Sequence, residues 1–185
     1  MEKLLQYLDS VFTLSNVLKM HLSKILKSKR YSKKDFLLKA GHISDKIFFI
    51  ERGLVRCFYD KSEKEVCSWF MKENDCIISV ESFFQQKESY ENIQALEETD
   101  AYFIEYNELQ FIYQNFPEFN FIGRVLTEKY YALSEQRLYS LRMQNASERY
   151  RFLMENYPEL IQRVPSKYLA SYLGISEETL SRNKR

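Results

Sequence analysis

Near the C-terminus, residues 169–182 read LASYLGISEETLSR, and this stretch decides the fold of the last part of the chain. Gly174 separates two short helical patterns and stands where a tight turn needs the positive φ angle that glycine adopts without strain. Ser176 can cap the second helix, and the acids Glu177 and Glu178 are favourable in its first turn. Two short helices joined in this way predict a helix-turn-helix.

The second helix of such a motif lies in the major groove of DNA, with its N-terminal residues against the base edges. Arg182 can donate two hydrogen bonds to guanine, and Glu178 can accept one from the amino group of cytosine. We therefore predict an interface with double-stranded DNA, formed by Ser176, Glu177, Glu178, Thr179, Ser181, Arg182, Lys184 and Arg185, the last two against phosphates. Spacing alone leaves a second interpretation open, in which the two helices never touch DNA and the acids only complement the helix dipole.

The overall composition gives no argument for or against nucleic acid as a partner. The formal net charge is +1, so a DNA-binding surface requires basic residues concentrated on one side. No run of about 18 apolar residues occurs, so we expect no membrane-spanning helix. The first residues lack the apolar stretch of a secretory signal, and the cysteines are odd in number, which indicates a reduced compartment. We expect a cytoplasmic protein.

The middle of the chain, residues 31–106, changes to short apolar or aromatic runs separated by polar breaks. Residues 47–50 (IFFI) and 66–71 (VCSWFM) are two of the runs, and residues 60–64 (DKSEK) form one of the breaks. Runs of this kind at regular spacing indicate an all-β sandwich or barrel, here long enough for about eight strands. Residues 2–27, which precede them, follow a helical pattern.

The longest helical pattern of the chain runs from about Glu118 to Met143. Its apolar stripe contains Val125, Leu126, Tyr130, Leu133, Leu138 and Leu141. A helix of this length buries such a stripe on the β-structure, on a twin helix, or on both. We predict that the stripe forms the seam of a homodimer, which would bind a palindromic operator with two recognition helices spaced by about one turn of DNA.

The C-terminal stretch resembles the helix-turn-helix of the bacterial Crp/Fnr regulators, particularly the short forms with a degenerate sensory domain. Their signature, aliphatic-Ala-x-x-Leu-Gly-aliphatic-Ser/Thr-x-Glu-Thr-aliphatic-Ser-Arg, is matched from Leu169 to Arg182. The resemblance covers essentially the whole chain. It implies that Glu178 and Arg182 read bases, and it makes RNA polymerase a candidate partner. Asn183 stands where the family usually has an aliphatic residue, so we expect weaker packing of the recognition helix.

The fold that this resemblance implies is α+β. It consists of N-terminal helices with an antiparallel β-roll (a cupin-like double-stranded β-helix of the cyclic-nucleotide-binding type), a long dimerisation helix and a C-terminal helix-turn-helix. The expected domains are a sensory roll over residues 1–115, the dimerisation helix over 116–144, and a DNA-binding domain without a wing over 145–185.

In nucleotide-binding members of the family, a Gly-Glu pair contacts the ribose and an Arg-Ser or Arg-Thr pair grips the cyclic phosphate. A buried phosphate needs such a fixed cation. The corresponding residues here are Glu81, Ser82, Ser89 and Tyr90, which we take as a candidate ligand pocket. No glycine precedes Glu81, and the acids Glu88 and Glu91 flank the place of the arginine. We therefore expect no binding of cyclic AMP, and the effector stays unidentified.

Other cofactors have no set of ligands in this sequence. An iron–sulfur cluster requires four thiolates, whereas Cys57, Cys67 and Cys76 are three and dispersed. A cupin-like metalloenzyme requires clustered histidines, whereas His21 and His42 are isolated. We expect no metal, cofactor or catalytic residue. The alternative to a DNA-binding regulator is a ligand- or protein-binding module of the same fold that has lost DNA binding.

Overall fold

The computed structural model describes residues 1–62 and 64–183 of the chain. In this part, helices stand at both ends and the strands lie between them. The first four helices are α1 (Glu2–Val11), α2 (Asn16–Ile25), α3 (Val80–Gln85) and α4 (Tyr106–Asn115). The strands are β1 (Lys27–Tyr31), β2 (Phe36–Leu38), β3 (Lys46–Arg52), β4 (Val55–Lys61), β5 (Lys64–Met71), β6 (Cys76–Ile77), β7 (Glu91–Ala95) and β8 (Thr99–Glu105). The last helices are α5 (Pro117–Met143), α6 (Ala146–Asn156), α7 (Pro158–Arg163), α8 (Ser166–Leu173) and α9 (Glu177–Asn183).

The strands form two four-stranded antiparallel sheets, with the orders β1-β8-β3-β6 and β2-β7-β4-β5. Together they make the antiparallel β-structure that the alternation of apolar runs and polar breaks predicts. Gly53, between β3 and β4, has a φ angle of +108°, and a Cβ atom there would stand 2.5 Å from the Thr99 hydroxyl. Only glycine fits at this point, where the connection between β3 and β4 passes close to the start of β8. Across the described residues, no helix is both long and apolar enough to cross a membrane.

Three groups of buried apolar residues hold these layers together. The roll cluster lies between the sheets and includes Phe48, Ile50, Val55, Cys57 and Ile93. The helix-layer cluster packs α1, α2, α4 and the start of α5 on the first sheet and includes Leu8, Leu18, Phe49, Ile112 and Ile122. The C-terminal cluster joins α6–α9 to the second sheet and includes Phe58, Phe70, Leu153, Leu169 and Leu180. Neighbours such as Phe48 and Phe49 enter different clusters because side chains alternate across a strand.

Helix α8 sits directly on the free edge of the second sheet. Strand β5 pairs with β4 on one side only, so its other edge has backbone groups that need partners. The Ser171 hydroxyl of α8 accepts a hydrogen bond from the backbone N–H of Cys67 and donates one to the carbonyl of Glu65, each at 2.9 Å. One helical side chain thus takes the place of the next strand.

Replacing Ser171 by alanine removes both of these bonds. We expect S171A to lower the free energy of unfolding by about 1–3 kcal/mol, because the N–H of Cys67 loses its partner at a packed contact. Urea unfolding followed by circular dichroism measures the effect. The matched control is S23A, since the exposed Ser23 hydroxyl bonds only to the Lys19 carbonyl of its own helix. We expect the control to lie within about 0.5 kcal/mol of the wild type; equal losses in both variants would contradict this account.

Arg56 is buried at the same junction, with 1% of its surface exposed. Its guanidinium donates to both oxygens of Glu65, at 2.8 and 3.0 Å, and to the side-chain oxygen of Gln94, at 2.6 and 3.0 Å. It also lies 3.9 Å from the centre of the Phe58 ring and 3.8 Å from that of Tyr168 in α8. A buried cation with these partners is satisfied electrostatically and fixes α8 against the sheet.

A second polar contact ties the end of α7 to the loops of the roll. Arg163 donates to both oxygens of Glu73, at 2.8 and 2.9 Å, and to Glu97 at 2.6 Å, while Glu73 also accepts from the N–H of Gly53 at 2.8 Å. Burial of Glu73 opposes its ionisation. The hydrogen bonds and the charge of Arg163 outweigh that effect and lower the pKa of Glu73 to about 2.

This shift predicts a pH dependence of stability. Because the pKa of Glu73 is lower in the folded state than its ordinary value of 4.5, its contribution is fully present above pH 4.5 and is lost as the pH falls towards 2. We expect E73Q to be less stable than the wild type at pH 7, with a difference that shrinks below pH 4.5. Thermal unfolding at a series of pH values measures this. In an R163M background the same substitution should have little effect; an unchanged difference there would argue against the ion pair as its cause.

Candidate nucleic-acid interface and roll cavity

Helix α9 is anchored by one buried side chain and presents polar side chains to solvent. Leu180 is 1% exposed and packs in the C-terminal cluster with Leu169 and Leu173 of α8. The side chains on the remaining surface of α9 are exposed: Glu177, Glu178, Ser181 and Arg182. The structure therefore has Glu178 and Arg182 on the outside of the molecule, where a partner can reach them.

The turn between α8 and α9 forms as the sequence predicts. Gly174 has a φ angle of +65°, and the N–H of Ile175 bonds back to the carbonyl of Ala170 at 3.0 Å, which closes α8. The Ser176 hydroxyl accepts from the N–H of Thr179 at 3.1 Å and lies 3.0 Å from the Thr179 hydroxyl. Two of the predicted interface residues, Ser176 and Thr179, are thus engaged in capping α9.

Asn183, predicted to weaken the packing of α9, makes two polar contacts, and the effect on packing stays a prediction. Its side-chain N–H donates to the carbonyl of Thr179 at 2.8 Å, and its oxygen accepts from the Ser147 hydroxyl of α6 at 2.5 Å. Asn183 therefore fastens α9 to α6 through polar contacts in place of apolar ones. The predicted phosphate contacts of Lys184 and Arg185 lie outside the described residues.

The long helix α5 has two different faces, which the predicted seam combined. Leu126 packs against the helix-layer cluster, and the Tyr130 hydroxyl accepts from the N–H of Cys76 at 2.7 Å. These two residues thus contact their own subunit. Val125 and Leu133 are half-buried. Leu126 and Tyr130 are also half-buried, so their assignment to a dimer seam stays a prediction.

Most side chains of α5 from Thr127 to Met143 are exposed, and one set among them is spaced by four and three residues. This set, the exposed face of α5, contains Thr127, Tyr131, Ser134, Leu138 and Leu141, of which Tyr131 is 67% exposed. Thr127, Tyr131 and Ser134 also line the cavity between the roll and α5. A four-three spacing is the pattern of residues that meet a second helix in a coiled coil. Of the predicted seam, Leu138 and Leu141 lie on this face. Tyr131 was missed in the sequence because its aromatic neighbour Tyr130 fitted the stripe equally well.

A cavity of about 690 Å³ opens between the roll and α5. Its lining draws on both the roll cluster and the helix-layer cluster, with Phe48 and Trp69 from the first and Phe49 and Leu126 from the second. In the described part of the chain, two acids line it, Glu81 and Glu91, and no lysine, arginine or histidine does. Its volume falls within the range of about 300–1,000 Å³ that is common for small-molecule sites.

The four predicted pocket residues divide into two pairs. Glu81 and Tyr90 line the cavity. Ser82, in α3, and Ser89, in the connection between α3 and β7, are both buried. The Ser82 hydroxyl accepts from the N–H of Ser44 at 2.8 Å, and the Ser89 hydroxyl donates to the carbonyl of Glu91 at 3.0 Å. These two serines hold the loop together and do not face the cavity.

Sequence reasoning missed the residues that define the inner part of the cavity. Cys57, Tyr59 and Trp69 line it from β4 and β5, and Glu91, 9% exposed, from β7. Burial, and secondarily the nearby charge of Glu91, raises the pKa of the Tyr59 hydroxyl, so this group stays a neutral donor. Strand alternation could have signalled the inward side chains of β4, since Cys57 and Tyr59 are two positions apart.

Within the described range, no group of three or more His, Cys, Asp or Glu residues could hold a metal ion. The cysteines are free thiols. Burial raises the pKa of Cys76 to about 12 and that of Cys57 well above its ordinary value. These two thiols are therefore protonated at neutral pH and behave as small apolar side chains.

Comparison with known proteins agrees with this architecture. Residues 28–116 match the family model of the cyclic nucleotide-binding domain. No curated protein sequence gives a significant match. Among solved structures, a transcriptional regulator of the Crp/Fnr family from Eubacterium rectale is similar at 16% identity and a TM-score of 0.74, over 96% of this chain and 85% of that one.

Two further structures extend the likeness to regulators from other bacteria. FixK2 from Bradyrhizobium japonicum has 17% identity and a TM-score of 0.74, over 86% of this chain and 83% of its own. CLP from Xanthomonas campestris, a c-di-GMP-responsive global regulator, has 15% identity and a TM-score of 0.72, over 91% and 89%. At such identities the likeness establishes the fold.

These matches show the fold: a roll of the cyclic nucleotide-binding type, continued by a long helix and a helical C-terminal unit. The resemblance to the Crp/Fnr regulators is confirmed at the level of the fold.

Proposed function

We propose that the protein is a DNA-binding transcription regulator of the Crp/Fnr type that acts as a homodimer in the cytoplasm. In this proposal α8 and α9 form the helix-turn-helix, and residues 1–115, 116–144 and 145–185 are the sensory roll, the dimerisation helix and the DNA-binding domain. The partner is a palindromic DNA operator, and RNA polymerase is a candidate second partner. Cyclic AMP is not the effector.

The observation that carries this proposal is the orientation of α9. Its one buried residue, Leu180, lies opposite a face on which Glu178 and Arg182 are exposed. The Arg182 guanidinium is 3.4 Å from the Thr179 hydroxyl and in no closer polar contact in the described part of the chain. It is therefore free to form the paired hydrogen bonds with guanine that an arginine of a recognition helix makes.

Arg182→Ala tests this role on a duplex selected from a random library by the wild-type protein. We expect the dissociation constant for that duplex to rise about 5- to 150-fold, because one base-reading arginine is worth about 1–3 kcal/mol. Binding to unselected DNA should change far less. Gel shifts at two salt concentrations measure both affinities. The control is R124A, which removes an exposed arginine of α5 that pairs with Glu128. An equal loss on both kinds of DNA would assign Arg182 to phosphate contact instead.

Dimerisation is proposed through the exposed face of α5. Tyr131, Leu138 and Leu141 give this face apolar side chains at heptad spacing, and the helix is 27 residues long, which gives a length of about 40 Å. Two such helices packed side by side would bury these residues and place the two α9 helices on one side of the dimer.

Leu138→Asp tests the seam. A charge at the centre of an apolar helix contact is costly to bury, so we expect the variant to sediment as a monomer at concentrations where the wild type is a dimer. V17D is the control, because Val17 is 61% exposed on α2 and is not part of the proposed seam. If L138D stays a dimer and V17D does not, the seam lies elsewhere.

A second function, a ligand- or protein-binding module without DNA binding, is favoured by one observation. Glu177 and Glu178 stand on the same exposed surface as Arg182, and acids there repel phosphates. Selection from the random library separates the two functions. Recovery of a discrete palindrome supports the regulator, whereas failure to enrich any sequence at low salt supports the module.

A further inference from the structure

We infer that the roll cavity binds a small aromatic molecule that carries a hydrogen-bond donor or a positive charge and no negative charge. The walls are aromatic: Phe48, Tyr59, Trp69, Tyr90 and Phe103 all line the cavity. Aromatic walls suit a flat ring, which they can contact by offset stacking or edge-to-face packing. The volume of about 690 Å³ accommodates one or two fused rings with a short substituent.

Glu91 determines the charge that we infer for the ligand. This carboxylate is 9% exposed and lines the cavity. In the part of the chain that the structure describes, no ion pair joins it to a lysine, arginine or histidine. The Tyr59 hydroxyl next to it supplies a neutral donor. A buried carboxylate without a counter-ion gains from a ligand that donates hydrogen bonds or carries a positive charge, and it repels an anion.

The second acid of the lining reinforces this preference only weakly. Glu81 is ion-paired with Lys87 at 2.5 Å, and the pair lies at the mouth, where Lys87 is half-exposed. The charge of Lys87 is therefore already neutralised by Glu81. A cyclic phosphate would enter a site with an unpaired carboxylate and without a basic lining residue among those described, which makes a cyclic nucleotide a poor ligand.

This inference rests on the proposed function in one respect: only in a regulator would the bound molecule act as an effector. The binding itself is a property of the roll and is measured without DNA. A negative binding result leaves the DNA-selection experiment untouched, and a failed selection leaves the binding result untouched.

Two dyes that share one framework test the inference on the full chain. N-phenyl-1-naphthylamine is neutral and has an N–H donor, whereas 1-anilinonaphthalene-8-sulfonate is the same framework with a sulfonate. Energy transfer from Trp69, the single tryptophan of the chain, reports binding of either dye. We expect the neutral dye to bind at least about tenfold more tightly, equivalent to 1.4 kcal/mol. Equal affinity, tighter binding of the sulfonate, or no binding of the neutral dye would overturn the inference.

Three competitors of one size then test the charge. Displacement of the neutral dye by 2-phenylethylamine, 2-phenylethanol and phenylacetate should follow that order, with the acid weakest. Cyclic AMP should displace none of it. Displacement by phenylacetate ahead of the amine, or by cyclic AMP at comparable concentration, would show that the cavity accepts anions.

Glu91→Gln isolates the group responsible, with E88Q as the matched control because Glu88 is exposed and outside the lining. We expect E91Q to bring the two dyes to within about threefold of each other, while E88Q keeps the wild-type ratio. Circular dichroism confirms that both variants are folded. An unchanged dye ratio in a folded E91Q would show that Glu91 does not contact the dyes, and would reject the inference.

Discussion

The edge of strand β5 is the constraint on which the arrangement of the molecule depends. An edge strand exposes a row of backbone groups that pair with any available partner, and proteins protect such edges by covering them. Here Ser171 bonds to the N–H of Cys67 and the carbonyl of Glu65, and the Tyr168 ring covers the buried guanidinium of Arg56. The same contact thus covers the edge of the sheet and attaches the C-terminal helices to it.

Strands β4 and β5 separate the cavity from α8. On β4, Cys57 and Tyr59 line the cavity, while Arg56 and Phe58 face the C-terminal cluster, because alternate side chains point to opposite sides of a strand. A molecule in the cavity and the helix that precedes α9 are therefore only one strand layer apart. Strand β4 is thus in contact with α8 through Arg56 and Tyr168 on one side and lines the cavity on the other.

Features decided by neighbours in sequence could be predicted, whereas features decided by distant partners could not. The turn at Gly174 and the outward face of α9 follow from local rules for caps and helix periodicity. The burial of Arg56 depends on Glu65, Gln94 and Tyr168, none of which is adjacent to it in sequence. Its own surroundings in β4 are those of any strand. For the same reason the cavity could be located by family resemblance, but the role of Glu91 could not be recognised.

The two faces of α5 show how this limit bears on assembly. A stripe of apolar residues predicts that one side of a helix is buried, but it does not identify the partner that buries it. The sequence therefore cannot distinguish residues of α5 that contact their own roll from residues that would contact a second copy. In the structure the two sets overlap, since Thr127, Tyr131 and Ser134 of the exposed face also line the roll cavity. A further contact fixes α5: Arg137 donates to the carbonyl of Tyr172 and lies 3.6 Å from the centre of its ring. Because α5 is fixed both to the roll and to α8, two copies paired through its exposed face would hold their α9 helices at a distance set by packed side chains. Such a dimer would match one spacing of DNA half-sites, since no flexible linker in the described chain could adjust it.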